Sequence, residues 1–220
     1  MSSSALPRGE AEALVLPVEA TRRRLSARQA ELVAQIVRAA EEAVEEVGYQ
    51  GLTVRNVARR AGVAPATAYT YFSSKDHLLA EVLWRRMEAL PPVPPSDERP
   101  VAARVEDAVR AMIPFAAQSP TLIDACTVAL LSPNPDVRHL RDRIGTLIHR
   151  RLEAAVGRGS DPRAIRVLET CYSGALLTAG IGHMSFLDVP AFVAGAATLL
   201  IEGPEPRPGS ADPEPGTTDR

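Results

Sequence analysis

Among 220 residues there is one lysine, Lys75, one tryptophan, Trp84, and two cysteines, Cys126 and Cys171. Two thiols are too few for a disulfide scaffold and fit a reducing, cytoplasmic compartment. No apolar run approaches the roughly 20 residues that span a bilayer, so no membrane partner is expected. Strand-type alternation of apolar and polar residues is absent as well. The motifs of common enzyme classes are missing: there is no G-x-S-x-G, no phosphate-binding G-x-x-x-x-G-K-[ST] and no H-E-x-x-H. The histidines His77, His139, His149 and His183 are dispersed without metal-ligand spacing, so neither a metal nor another cofactor is expected. Nor is there an excess of either charge, with 25 basic against 27 acidic side chains. That balance excludes little, because a whole-chain sum hides opposite patches.

What is present is an ordinary globular composition, 45% hydrophobic and 24% charged. Ten of the nineteen prolines fall in two stretches, Pro91 to Pro100 and Pro204 to Pro215. Proline fixes φ and lacks an amide donor, so neither stretch suits a helix interior. The first reads as a linker over residues 91–100 and the second as part of a disordered tail over 203–220. Residues 1–24 lack periodicity and carry no signal-peptide pattern; they are expected to be a disordered leader ending in Arg22-Arg23-Arg24.

Between these breaks the apolar period is helical. Leu32, Val33, Ile36, Val37, Ala40, Val44 and Val47 mark a first helix over 28–47. Further helices are expected over 78–90, 101–117, 122–131, 137–156, 164–186 and 189–201, with Pro114 kinking the 101–117 helix. The fold class is all-α: a compact N-terminal unit over 25–90 and a larger bundle over 101–202, about nine helices in total.

The most informative stretch is GYQGLTVRNVARRAGVAPATAYTYFSSKDHLL, from Gly48 to Leu79. Gly48 and Gly51 end the first helix, and Thr53 stands at an N-cap position. A short helix follows, with Val57 and Ala58 inward and Arg55, Arg59 and Arg60 outward. Gly62 supplies the positive φ of a tight turn, and Pro65 suits the first turn of the next helix. Ser73 to Asp76 reads as a capping box that opens a fourth helix. Two short helices joined by a glycine turn form a helix-turn-helix, whose second helix can enter a major groove. Between Thr53 and Lys75 every charge is positive, the asymmetry a phosphate-contacting face requires.

The run G-Y-x-G-L-T-V-x-x-V-A-x-x-A-G-V-A-x-A-T-x-Y-x-Y-F-x-S-K resembles the DNA-binding unit of TetR-family transcriptional regulators, over about residues 28–90. The resemblance implies a homodimeric repressor, less often an activator, that binds double-stranded operator DNA and is released by a small molecule. It places Thr53 at a phosphate, Arg55 at a base edge or phosphate, and Lys75 at the backbone contact opening the fourth helix. Pro65, Ala66, Thr67, Tyr69, Thr70 and Tyr71 fall on the recognition helix. Ala64 departs from the usual capping serine, and Ala66 and Ala68 stand where glycine and leucine are common. Tyr69 and Phe72 also read as core aromatics, Arg59 and Arg60 as solvated charges. Arg22 to Arg24 read equally as a minor-groove arm or a solvated leader.

In such a protein the C-terminal bundle forms the dimer interface and an effector cavity. Small residues on the last two helices permit close helix approach between subunits: Gly174, Ala175, Ala179, Gly182, Ala191, Ala194, Gly195 and Thr198. Ordinary intrachain packing is the competing reading. Cavity candidates are Trp84, Met87, Met112, Phe115, Ile123, Cys126, Thr127, Leu130, Leu147, Ile148, Cys171 and Tyr172, each of which also reads as plain core. Their lack of charge predicts a largely apolar effector, with Asp124 or His149 orienting a polar end. The alternative reading is a helical enzyme, or a redox-sensing regulator using Cys126 and Cys171.

Overall fold

The computed structural model describes residues 26–94, 98–113, 119–157 and 159–203. Among the described residues nine α-helices run in chain order: α1 (Ala27–Gly51), α2 (Val54–Arg60), α3 (Pro65–Tyr71), α4 (Lys75–Glu88), α5 (Val101–Met112), α6 (Pro120–Leu130), α7 (Pro135–Val156), α8 (Pro162–Gly180) and α9 (Val189–Ala197). Short turns of tighter and wider helix, Phe186–Asp188 and Thr198–Glu202, flank α9. No strand occurs among the described residues.

Most boundaries are written locally. Ser26 and Gln29 form a reciprocal capping box at the start of α1, bonded at 2.9 and 3.3 Å. The starts of α6, α7 and α8 share one device: Ser119, Asn134 or Asp161 accepts from a first-turn amide, and a proline follows at the next position. Each proline's missing amide falls where a helix has no intrahelical partner to lose.

Two expected helices end early. The one over 101–117 stops at Met112, with Ile113 at φ −122° and ψ 52°. A residue before proline is driven out of the α region, which accounts for Ile113; Pro114 itself, expected to kink the helix, lies outside the described residues. The helix over 164–186 stops at Gly180, and Gly182 turns at φ +81°.

One continuous core joins all nine helices. α1 packs on α2 and α4, and α2 on α3; α4 also packs on α6 and α7, and α1 on α6. Farther along, α5 packs on α7 and α9, and α8 on α9 and α7. α4 therefore belongs to the helix-turn-helix unit by sequence and to the bundle by contact. Two buried arginines fix the bundle. Arg104 of α5 donates to the carbonyls of Ala155 (2.8 Å) and Val156 (2.9 Å), closing the C-terminus of α7. Arg151 of α7 donates to the Pro91 carbonyl at 2.8 Å, holding the segment that leaves α4.

Candidate nucleic-acid interface and cavity

The helix-turn-helix is fixed by short-range bonds. Thr53 Oγ1 accepts from the Asn56 amide (3.0 Å), and Asn56 Oδ1 accepts from the Thr53 amide (2.9 Å). Thr53 is exposed, and its own O–H remains available to a phosphate. Val54, Val57 and Ala58 turn inward, while Arg55 and Arg59 are exposed with no acidic partner among the described residues. Arg60 is instead paired with Glu42 and Glu46 of α1. Gly62 makes the turn at φ +67°, a conformation costly for any residue with a Cβ. Gln35 of α1 donates to the Ala61 carbonyl at 2.7 Å and holds that turn down.

On α3, Ala64 provides no side-chain cap, and Pro65 begins the helix. Ala68 and Phe72 are buried, which fixes the opposite face outward. That outward stripe holds Pro65, Ala66, Tyr69 and Thr70, with Thr67 and Tyr71 half-buried at its sides. Tyr69 is 52% exposed, so it is a surface aromatic and not core. A helix stripe of hydroxyls, methyls and a phenol suits hydrogen bonds and methyl contacts at base edges.

Lys75 is more constrained than its sequence position suggested. Its Nζ donates to the Tyr49 carbonyl in the last turn of α1 (2.8 Å) and lies 3.9 Å from the Tyr49 ring centroid. The Tyr49 hydroxyl in turn donates to Asp76 at 2.7 Å. Burial first, then Asp76, pushes the Tyr49 phenol up to about 12. An ammonium has three donors, so Lys75 can lock α4 to α1 and still reach a phosphate. Tyr49 escaped notice in the sequence because its partners lie 26 and 27 residues away.

The Ser73–Asp76 run opens α4 through Ser74, which accepts from the His77 amide at 3.0 Å. The expected capping box is one-sided: the His77 ring accepts from the amide of Ser73, the residue before the cap, at 3.3 Å. Ser73 Oγ also donates to Asp136 (2.7 Å), while Asn134 Nδ2 donates to Ser73 (3.2 Å) and Ser74 (3.4 Å). The end of the recognition helix is thus bonded to the α6–α7 connection. A bidentate pair between Arg86 and Glu41, at 2.9 and 2.8 Å, ties the far half of α4 to α1.

Within the bundle lies a cavity of about 240 Å³. Eight sequence candidates line it: Met87, Met112, Ile123, Cys126, Thr127, Leu130, Ile148 and Tyr172. Trp84 does not; its ring packs 4.0 Å under the Arg143 guanidinium. Leu147 and Cys171 are off the wall, and Phe115 lies outside the described residues. Asp124 is exposed and His149 pairs with Glu169 at 2.6 Å, so neither faces the cavity. The wall also includes Leu83, Ile113, Leu131, Arg141, Ile144, Gly145, Ser173, Leu176 and Leu177. Arg141 and Gly145 interrupt the apolar period of α7 on that side, the one signal in sequence that marks them.

The small residues of α8 and α9 divide into two groups. Ala175, Ala179 and Ala194 are buried within the chain, as in ordinary packing. Gly174, Gly182, Ala191 and Gly195 are exposed, and Thr198 is half-buried. Near them in sequence stand exposed Leu177, Ile181, Leu187, Phe192, Leu199 and Leu200. Cys126 is buried beneath Leu79, and burial pushes its thiol up to about 12. A thiol so far from ionisation is a poor nucleophile. It is unbridged, as is Cys171. No cluster of His, Cys, Asp and Glu able to hold a metal occurs among the described residues, and no helix there is long and apolar enough to cross a membrane.

Residues 36–82 match the family model for bacterial regulatory proteins of the tetR family. An uncharacterized HTH-type transcriptional regulator of Mycobacterium bovis is 40% identical over 188 residues, covering 84% of this chain and 88% of that protein. The crystal structure of a TetR transcriptional regulator from Rhodococcus sp. RHA1 aligns at a TM-score of 0.68 with 24% identity, covering 80% of this chain and 98% of that one. The Thermus thermophilus repressor FadR, solved with lauroyl-CoA, aligns at 0.56 with 22% identity, covering 84% and 100%. These two structures share the fold, and the mycobacterial relative shares sequence along most of its length. With an exposed recognition stripe on α3 and an all-helical bundle behind it, the chain belongs to the TetR family of bacterial transcriptional regulators.

Proposed function

We propose that the protein is a cytoplasmic, non-enzymatic repressor that binds a palindromic operator as a homodimer and is released by a small, largely apolar effector. The observation that carries this reading is the double membership of α4. Its first turn is capped beside the recognition helix, and farther along it supplies Leu83 and Met87 to the cavity wall. A molecule that repacks the wall moves the helix that directly follows the recognition helix in the chain.

Contacts to DNA come from Thr53, Arg55 and Lys75 at phosphates and from Pro65, Ala66, Thr67, Tyr69, Thr70 and Tyr71 in the groove. The leader over 1–24, most of the tail over 203–220 and residues 95–97 of the linker, all expected from the sequence, lie outside the described residues. Dimerisation uses the exposed side of α8 and α9, where Gly182, Ala191 and Gly195 stand with Ile181 and Leu199, both 69% exposed. So much exposed apolar surface on adjoining helices marks an interface. Two recognition helices then meet half-sites about one helical turn apart, and a change in their spacing weakens binding. The Thermus thermophilus FadR was solved with lauroyl-CoA, and the apolar wall of the cavity here supports an apolar effector for this chain as well.

The test is retention of DNA from immediately upstream of the chain's own gene against a scrambled duplex of equal length. Wild type should retain the upstream duplex as a complex of two chains per site, more weakly as salt rises. Tyr69→Ala should lose that preference and keep the salt-dependent background. Equal affinity for both duplexes contradicts the reading.

A further inference from the structure

Three side chains on the cavity wall, Arg141, Tyr172 and the exposed Ser173, have hydrogen-bonding capacity that no described residue takes up. Arg141, in the second turn of α7, donates from Nη1 to the Leu130 carbonyl at 2.6 Å, which sets its guanidinium at the Leu130–Leu131 edge of the cavity. It pairs with no acid among the described residues. A guanidinium carries five N–H donors, and one is used. Tyr172 is only 3% exposed, and its hydroxyl keeps some accessible surface and bonds to no described residue. Thr127, by contrast, satisfies itself by donating to the Ile123 carbonyl at 2.8 Å. The rest of the wall is almost wholly apolar, and no carboxylate stands on it.

We propose that this cavity binds a medium-chain organic carboxylate, its hydrocarbon body among Leu83, Met112 and Leu176 and its head on the Arg141 guanidinium and the Tyr172 hydroxyl. The inference rests on the regulatory reading above and names the effector's chemical class. The planar guanidinium fits a carboxylate with two parallel bonds. One cation and one neutral donor match a single negative charge, whereas a phosphate monoester brings nearly two. An amine finds no acid here and meets the positive charge of Arg141. A cavity of about 240 Å³ has room for a short hydrocarbon chain such as that of octanoate.

The anchor also lies where an effect can be transmitted. A carboxylate that takes the donors left free on Arg141 shares the guanidinium with the carbonyl of Leu130, the last residue of α6. The connection that follows ends at Asn134, which with Asp136 in the first turn of α7 bonds Ser73 and Ser74 between the recognition helix and α4. Drawing Arg141 toward a ligand releases α6 at the end nearest that clasp.

The test is calorimetry of the full chain at neutral pH with octanoate, 1-octanol and octylamine, which share one body and differ in the head. Octanoate should bind about tenfold to hundredfold more tightly than octanol, the span of a charge-assisted bond, and octylamine should not bind. Arg141→Gln should bring octanoate down to the octanol value and leave octanol unchanged. Arg141→Lys should restore part of the difference, and Tyr172→Phe should reduce it less than Arg141→Gln does. If Arg141→Gln does not fold, the lysine and phenylalanine variants make the same comparison. Equal binding of octanoate and octanol, an unaltered preference in the variants, or no binding of octanoate overturns the proposal. Retention of the upstream duplex by the ligand-free chain tests the regulatory reading separately, so either can fail without the other.

Discussion

The DNA-reading unit and the bundle use the same device with opposite consequences. In each, a cation on one helix donates to the last carbonyls of another: Lys75 to Tyr49 at the end of α1, and Arg104 to Ala155 and Val156 at the end of α7. Arg104 is 9% exposed and serves only the fold. Lys75 is half-buried, rests on an aromatic ring and keeps donors turned toward solvent. A helix-capping cation at a surface remains free to serve a ligand, and one in a core does not. The cavity repeats the contrast: Arg141 caps α6 with a single bond and has capacity left.

The largest effect that separates the two devices comes from Arg104→Ala. It leaves two buried carbonyls without donors and should cost about 3–5 kcal/mol in urea unfolding. The slope of DNA affinity against salt should stay unchanged; a shallower slope would place Arg104 in the DNA contact. Lys75→Ala should cost less, about 1–2 kcal/mol, for one partly solvated bond and a cation–π contact. It should also flatten the salt slope by about one unit, as expected for a lost phosphate contact. A stability loss with an unaltered slope makes Lys75 a cap only, like Arg104.

The smallest effect is in pH. The Tyr49 phenol is raised from the ordinary 10 to about 12, so the folded chain holds that proton more tightly than the unfolded chain does. Its contribution is complete below pH 10 and is lost as pH rises from 10 to 12. Over that window wild type should lose more stability than Tyr49→Phe. Parallel curves would mean that the bond to Asp76 adds nothing to the lock formed by Lys75.

The same contrast explains what could be read in advance. The helix-turn-helix was legible because its geometry is set by neighbours: Thr53 with Asn56, Ser74 with His77, Gly62 in its own turn. Lys75 and Tyr49 were half legible, since the lysine sits in the motif and its partner does not. The cavity was legible only as a list of large apolar residues, because an empty space is defined by side chains that fail to meet. Trp84 read as wall but turned to Arg143, a partner 59 positions away that no period in the sequence connects with it. Arg141 was passed over because charge was taken as a sign of surface. The end of α5 at Met112 was hidden because the apolar pattern continues past Ile113, where the backbone restriction before a proline prevailed.

The central claim is that the cavity and the recognition helices are coupled through α4 and the α6–α7 connection. The most direct measurement is a closed titration of the full chain with upstream duplex and octanoate at fixed salt. The account predicts that saturating octanoate weakens duplex binding, and that saturating duplex weakens octanoate binding by the same factor, as linkage requires. Octanoate bound in the cavity with duplex affinity unchanged would contradict it.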